Sequence, residues 1–331
     1  MKFKLKKLTH FNEIVENAEI EIPTSDLTFA NDQIIAQFDR VDEENAETKV
    51  IVAPGIYRIG FESNSLKFIS TDLRKQKMLD SVMNTQKITE EADRFFKKLH
   101  IYDMLEEPKA RKILLYSSPG CGKSSSISKY AMDMREADDK SAIVIWPTSQ
   151  VDSDDVLNLL TDCEYDNVSR LLLVMEDIGG GEREGSYAAR GVDSGLLDLL
   201  DGVRNVYKVP TFVIATTNYP ENLLSALADR PGRFDLMLKL EYPSAAERVA
   251  LAGFFAKRTL TPAEMEVFMS DKTSEFSVAH IKEAIVRHYL SDKPISETVK
   301  ELIDHKTKYE NSFEDKPDNG RNTGSRGGFG L

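Results

Sequence analysis

The chain has 331 residues, 41% of them apolar, which is enough to fill a sizeable core and, by length, about two domains. Its formal charge is −12, from 55 acidic against 43 basic residues, so no overall attraction to nucleic acid or to an anionic membrane is written into the composition. Two cysteines, Cys121 and Cys163, suit a reducing compartment, and neither a signal-peptide pattern nor a run of about 20 apolar residues is present, so the expectation is a soluble, cytoplasmic protein without membrane insertion.

Residues 1–72 read as strand-rich. Alternation in 18–22, 33–38, 49–52 and 56–61 suggests short antiparallel strands, with turns signalled by Asn31-Asp32, 42–45 and Pro54-Gly55. The one histidine there, His10, suits a surface position better than a ligand. The expectation is a small β domain, serving either docking and substrate recognition or a purely structural cap. Residues 73–108 turn helical and charged and form a linker, with Met78, Val82, Phe95 and Phe96 as core contacts.

The strongest stretch is Tyr116 to Ser126, YSSPGCGKSSS. It follows the apolar run Ile113-Leu114-Leu115 and precedes Ile127, Tyr130, Ala131 and Met134, whose spacing is the buried stripe of a helix. The order is therefore strand, glycine-containing turn, helix. A helix that starts near Lys123 turns unpaired backbone N–H groups and a positive dipole end towards the turn, where a phosphate fits. Gly120 and Gly122 let the backbone curl around an anion, Lys123 reaches the outer phosphates, and the Ser124 hydroxyl is placed for a magnesium ion. The pattern G-x-x-x-x-G-K-[ST] is met except at Ser117, which stands where its first glycine is expected; a plain Ser/Gly connection is the alternative.

Residues 142–146 then make a second buried strand ended by Pro147, and Ser153 is read as the cap of a helix with Val156, Leu159, Leu160 and Cys163 on one face. The run 171–175, ending in Glu176-Asp177, has the continuous apolar character of a strand buried on both faces in a parallel sheet. Acids at the carboxyl end of such a strand sit in the crevice where these sheets bind ligands, where one can hold a metal ion and the other polarise water. A glycine-rich loop carries Arg183, Tyr187 and Arg190. A helix from Ser194 to Asp201 stops at Gly202, a strand over 211–216 leads to Asn218, and ADRPGRFD (228–235) leads to a fifth strand over 236–240. Helices over 245–257, 261–269 and 277–289 form a small lid, the second opened by the capping box Thr261-Pro262-Ala263-Glu264. His280, in the third, is read as a surface or core histidine rather than a nucleotide contact. One more helix over 294–309 precedes a Gly/Asn/Arg-rich tail, 311–331, expected to be disordered.

Five ordered features, YSSPGCGKSS, LLLVMED, FVIATTN, ADRPGRFD and YPSAAER, resemble the AAA+ ATPases, and within them the AAA group, over about residues 95–290. PGCGKSS, the order Glu176-Asp177 and SGLLDLLDGV are similar to the Bcs-type branch that assembles respiratory complex III. The resemblance implies an α/β fold: a P-loop five-stranded parallel sheet (109–243) with a helical lid (244–310), preceded by the β-rich region. It implies ATP and magnesium as ligands. Ser117, Ser118, Pro119, Gly120, Cys121, Gly122, Lys123, Ser124 and Ser125 would cradle the phosphates. Ser124 and Glu176 would hold magnesium, Asp177 would activate water, and Asn218 would sense the γ-phosphate. Arg230 and Arg233 match paired arginine fingers inserted into a neighbour's site, which implies a head-to-tail ring, most often a hexamer in this family.

Where threading members carry an aromatic-apolar-glycine loop, this chain reads Pro147-Thr148-Ser149-Gln150-Val151-Asp152. The expected function is ATP hydrolysis in a homo-oligomeric ring that remodels a protein substrate. A nucleic-acid-directed loader or motor and an ATP-binding assembly switch with little turnover stand as the alternatives.

Overall fold

A computed structural model of the chain describes residues 27–30, 33–36, 40–41, 48–62, 65–73, 85–179, 194–202, 204–220, 223 and 233–314. Residues 1–241 and 242–331 make two compact units.

In the first unit, β1 (Leu27–Ala30) and β2 (Gln33–Ala36) pair antiparallel, and β3 (Arg40–Val41) pairs with β4 (Thr48–Lys49). There follow β5 (Ile51–Val52), β6 (Gly55–Glu62) and β7 (Ser65–Ser70), then helices α1 (Thr85–Lys97) and α2 (Leu99–Leu105). Next come β8 (Ala110–Tyr116), α3 (Lys123–Ala137), β9 (Ser141–Pro147), α4 (Ser153–Asp162), β10 (Glu164–Tyr165) and β11 (Arg170–Glu176). The unit closes with α5 (Ser194–Asp201), β12 (Thr211–Thr217) and β13 (Leu236–Lys239).

The central sheet has the order β13-β8-β12-β11-β9-β6-β7. The five strands expected from the sequence are present and parallel. Two more extend the sheet: β6 pairs parallel with β9, Arg58 opposite Ile145, and β7 returns antiparallel. The boundary expected at residue 72 is corrected accordingly, because it cuts through this sheet rather than between domains. Without β6, the outer edge of β9 would present unpaired backbone groups. Val52, Tyr57, Ile59 and Phe68 also share one buried cluster with Val144, Trp146 and Leu173. The short β5 pairs in turn with β10, a second tie between the N-terminal stretch and the region after residue 108.

Both faces of the sheet are covered, which is why its inner strands read as unbroken apolar runs. On β12, Phe212 faces one layer, its ring 6.2 Å from Phe95 of α1 and 5.9 Å from Tyr130 of α3. The next residue, Val213, belongs to the opposite cluster with Leu157, Leu160, Leu196 and Leu199 of α4 and α5. Phe95 is buried and Phe96 half-buried, its ring under the Arg170 guanidinium at 5.0 Å. The expected core contacts Met78 and Val82 lie outside the described residues. The cap of α4 is Asp152, whose carboxylate accepts from the Asp154 N–H at 3.0 Å, and not Ser153, whose backbone is already helical.

The second unit contains α6 (Ala245–Ala256), α7 (Pro262–Met269), α8 (Val278–Ser291) and α9 (Ile295–Glu314). Capping boxes start the first three: Ser244 with Glu247, Thr261 with Glu264 and Ser277 with His280. Each satisfies N–H groups that a helix start otherwise leaves without partners. His280 is thereby a capping residue stacked 5.3 Å from the Phe276 ring. Arg248 is buried and donates to the carbonyls of Pro243, Phe268 and Ser270, tying α6 to the end of α7. The last helix runs to Glu314, four residues into the stretch expected to be a tail.

Candidate functional site

The loop between β8 and α3 opens at the carboxyl edge of the sheet. Gly120 and Gly122 have φ of 80° and 92°, left-handed backbone that a side chain strongly disfavours. Gly122 is the N-cap of α3 and no side chain caps the helix, so its first N–H groups face the loop, as an anion site requires. Ser117 is buried and its φ is not positive, which explains why a residue other than glycine is accommodated there. Its hydroxyl donates to the Ser118 carbonyl at 2.9 Å. Ser118, Pro119, Gly120 and Ser124 are exposed, Ser125 is half-buried, and Cys121 is a buried free thiol.

Lys123 is buried, and its ammonium donates to three oxygens: the Ser117 carbonyl at 3.2 Å, the Ser117 hydroxyl at 2.9 Å and the Asn218 amide oxygen at 2.5 Å. Burial holds its pKa below the ordinary lysine value, while the Asp177 charge acts to raise it. The Asn218 amide nitrogen donates to the Asp177 carboxylate at 3.4 Å. Strand order makes this chain of contacts: β12 lies between β8 and β11, so the residue after β12 spans the gap from the phosphate loop to the acids.

The two acids have different surroundings. Glu176 is the half-buried last residue of β11, and burial pushes its carboxyl up, with the Arg58 charge pulling it back and Asp177 raising it further. Asp177 is exposed and leaves the strand with φ 56°, a left-handed turn that a non-glycine residue adopts only where its surroundings hold it. Among the described residues no group of three or more His, Cys, Asp and Glu gathers as a metal cage. The donors present, one hydroxyl and one or two carboxylates beside a phosphate loop, fit magnesium, which is commonly held by few protein groups together with substrate phosphates.

Of the arginines singled out in the sequence, Arg233 is buried and pairs within its own chain, Nε to Asp201 Oδ1 at 3.1 Å and Nη2 to Oδ2 at 3.3 Å. Asp235 accepts from the Lys112 N–H and meets Arg111, itself paired with Glu91. Arg230, with Arg183, Tyr187 and Arg190, lies outside the described residues.

The loop 147–152 is a short turn bonded back to its neighbours at three residues. Thr148 donates twice to the Glu176 carbonyl, the buried Val151 accepts from the indole of Trp146, and the Gln150 side chain accepts from Arg58 at 2.9 Å. Sequence reasoning missed Arg58, which the parallel β6–β9 pairing brings to this edge, and Thr216, which holds the backbone at Asp177.

Together, the strand order, the capless helix behind the glycine loop and the Lys123–Asn218–Asp177 chain define a P-loop nucleotide-binding domain. Comparison with known proteins agrees and is more specific. The family described as "ATPase family associated with various cellular activities (AAA)" matches residues 113–242. The probable mitochondrial chaperone bcs1 of Schizosaccharomyces pombe is 34% identical over 174 residues, 49% of this chain and 36% of that protein. The human mitochondrial chaperone BCS1 is 29% identical over 247 residues, 65% of this chain and 57% of that protein. AAA-ATPase At2g18190 of Arabidopsis thaliana is 31% identical over 171 residues, 47% of this chain and 33% of that protein.

Residues 113–242 thus match the AAA family, and the likeness of the chain runs to the Bcs-type branch. It spans between a third and somewhat over half the length of these relatives. The expectation of a cytoplasmic protein is corrected by the same comparison, since the yeast and human relatives are named mitochondrial chaperones. No described helix is long and apolar enough to cross a membrane.

Proposed function

We propose that this chain binds ATP with magnesium and hydrolyses it to ADP and phosphate as one subunit of a ring, working as a chaperone that remodels a protein assembly. The observation that carries this reading is the bonded series Lys123–Asn218–Asp177, in which a cation at the start of α3, an amide after β12 and an acid after β11 converge. In this reading the backbone N–H groups of 118–125 and the Lys123 ammonium bind the phosphates. Ser124 and Glu176 hold magnesium, which when bound neutralises charge on the β- and γ-phosphates. Asp177 accepts a proton from the attacking water as the γ-phosphorus–oxygen bond to ADP breaks, and Asn218 orients that water. Arg230 is the residue offered to a neighbouring site, while Arg233 is engaged by Asp201 of its own chain.

The loop 147–152 speaks against gripping and threading an extended polypeptide, because it carries no aromatic-apolar-glycine triplet and Thr148, Gln150 and Val151 are bonded back to the sheet edge. A chaperone that rearranges folded partners fits better, in keeping with the names of the relatives. A nucleic-acid motor finds less support, given the net charge of −12.

The test is Asp177→Asn in the full chain. Turnover should fall by a factor of about 10² or more, the low-to-middle range for losing a positioned general base, with ATP binding kept. If Glu176→Gln has this phenotype and Asp177→Asn does not, the two acids exchange roles.

A further inference from the structure

The αL turn at Asp177 has a dedicated support. The Asp177 N–H donates to the Thr216 hydroxyl at 3.0 Å, and the next N–H, of Ile178, donates to the Thr216 carbonyl at 2.8 Å. One residue of β12 thus captures two successive backbone donors of the chain leaving β11. On the other side, the Thr148 hydroxyl and N–H both donate to the Glu176 carbonyl, at 2.7 and 3.3 Å. The turn Glu176-Asp177-Ile178 is clamped between the two strands that flank β11.

The Thr216 contact is the more telling one. A residue that turns to φ 56° takes its N–H out of the regular parallel ladder, so that donor needs a side-chain acceptor. Thr216 supplies it at a position only 4% exposed, where water is a poor substitute. A valine would have the same shape and β-propensity but no acceptor. The hydroxyl therefore serves the direction in which the Asp177 carboxylate leaves the backbone, towards the Asn218 amide.

We propose that Thr216 is a positioning residue for hydrolysis: its hydroxyl holds the backbone of Asp177 in the turn that aims the carboxylate at the attacking water. The inference rests on the reading of Asp177 as the water-activating acid. It assigns no contact with nucleotide to Thr216, so turnover and binding must separate.

The experiment compares Thr216→Val, Thr216→Ala and Thr216→Ser in the full chain by steady-state ATPase and by equilibrium binding of a fluorescent ATP analogue, with the thermal midpoint recorded. Leaving the Asp177 N–H without its Thr216 acceptor should lower kcat about tenfold or more in the valine and alanine variants. KM and the dissociation constant should stay within about twofold, because the phosphate loop is untouched. The serine variant, which keeps the acceptor, should recover most of kcat. The alanine variant carries the test should valine fail to fold.

An active wild type with unchanged kcat in the valine and alanine variants overturns the role of Thr216. So does a serine variant as impaired as alanine, or a parallel loss of binding and turnover. A wild type that binds the analogue without turning over ATP instead sinks the hydrolysis reading, and the role of Thr216 with it.

Discussion

Replacing Arg233 by alanine should destabilise the ATPase unit, whatever it does to turnover. The Arg233 side chain is 7% exposed and meets a carboxylate that is 25% exposed, through contacts of 3.1 and 3.3 Å. An exposed ion pair contributes about 0.2–1 kcal/mol, whereas removing one member of a buried pair costs about 3–5 kcal/mol by stranding the other charge. Asp201 keeps a quarter of its surface in water and is partly rehydrated when the guanidinium goes, which places the cost between these limits, at about 2 kcal/mol. For a unit of this size that amounts to roughly 4–8 °C in the midpoint of thermal unfolding.

The assay is urea unfolding of the full chain followed by Trp146, the only tryptophan and fully buried in the same sheet. A double-mutant cycle with Asp201→Ala isolates the pair and should give a coupling of about 1–2 kcal/mol. An Arg233→Ala protein that unfolds at the wild-type urea concentration, or strict additivity with Asp201→Ala, refutes the reasoning. A stable yet inactive variant would return Arg233 to the role of a finger for the neighbouring subunit.

Gly195→Ala should also destabilise the unit, by about 1–3 kcal/mol. An added Cβ would sit 2.6 Å from the Asp154 carboxylate oxygen and 2.9 Å from both the Asp154 backbone nitrogen and the Ser153 Cβ, at the close approach of α5 to the start of α4. Gly253→Ala, inside α6 with its nearest neighbour at 3.5 Å, is the control and should stabilise by about 0.5–1 kcal/mol; calorimetry of the two variants should shift in opposite directions.

In the lid, the Arg258 guanidinium bonded to Glu264 holds that carboxyl down to about 2. A carboxyl depressed on folding contributes stability that is fully present above its unfolded value and is lost as pH falls through the folded one. The gap between wild type and Glu264→Gln should be about 1 kcal/mol at neutral pH and should close from about pH 5 downwards. Urea titrations at stepped pH that show a constant gap would exclude this origin.

What could be read directly from the chain was local chemistry. Gly120 and Gly122 announce a backbone of positive φ before a helix. Glu176 and Asp177 mark the end of a doubly buried strand. Thr261-Pro262-Ala263-Glu264 and Ser277 write helix starts into neighbouring residues, and all of these lie within one turn or one strand end. Asp152 and Ser153 show the resolution of such reading: both residue types cap helices, and the choice between them depended on which backbone bends first.

Five ordered motifs were enough to foresee five parallel strands, but alternation in residues 56–61 says only that a strand has one buried face, not which strand it joins. The pairing of β6 with β9, some 85 residues later in the chain, brings Arg58 to Gln150 and turns an expected separate domain into an extension of the ATPase sheet. The Arg233–Asp201 pair spans 32 residues and the Thr216–Asp177 bond 39. The sequence by itself thus determined which groups carry phosphate and acid chemistry, because those depend on residue type and nearest neighbours. Only the tertiary structure decided their partners, because strand order and burial set which distant charge or hydroxyl lies within hydrogen-bond reach.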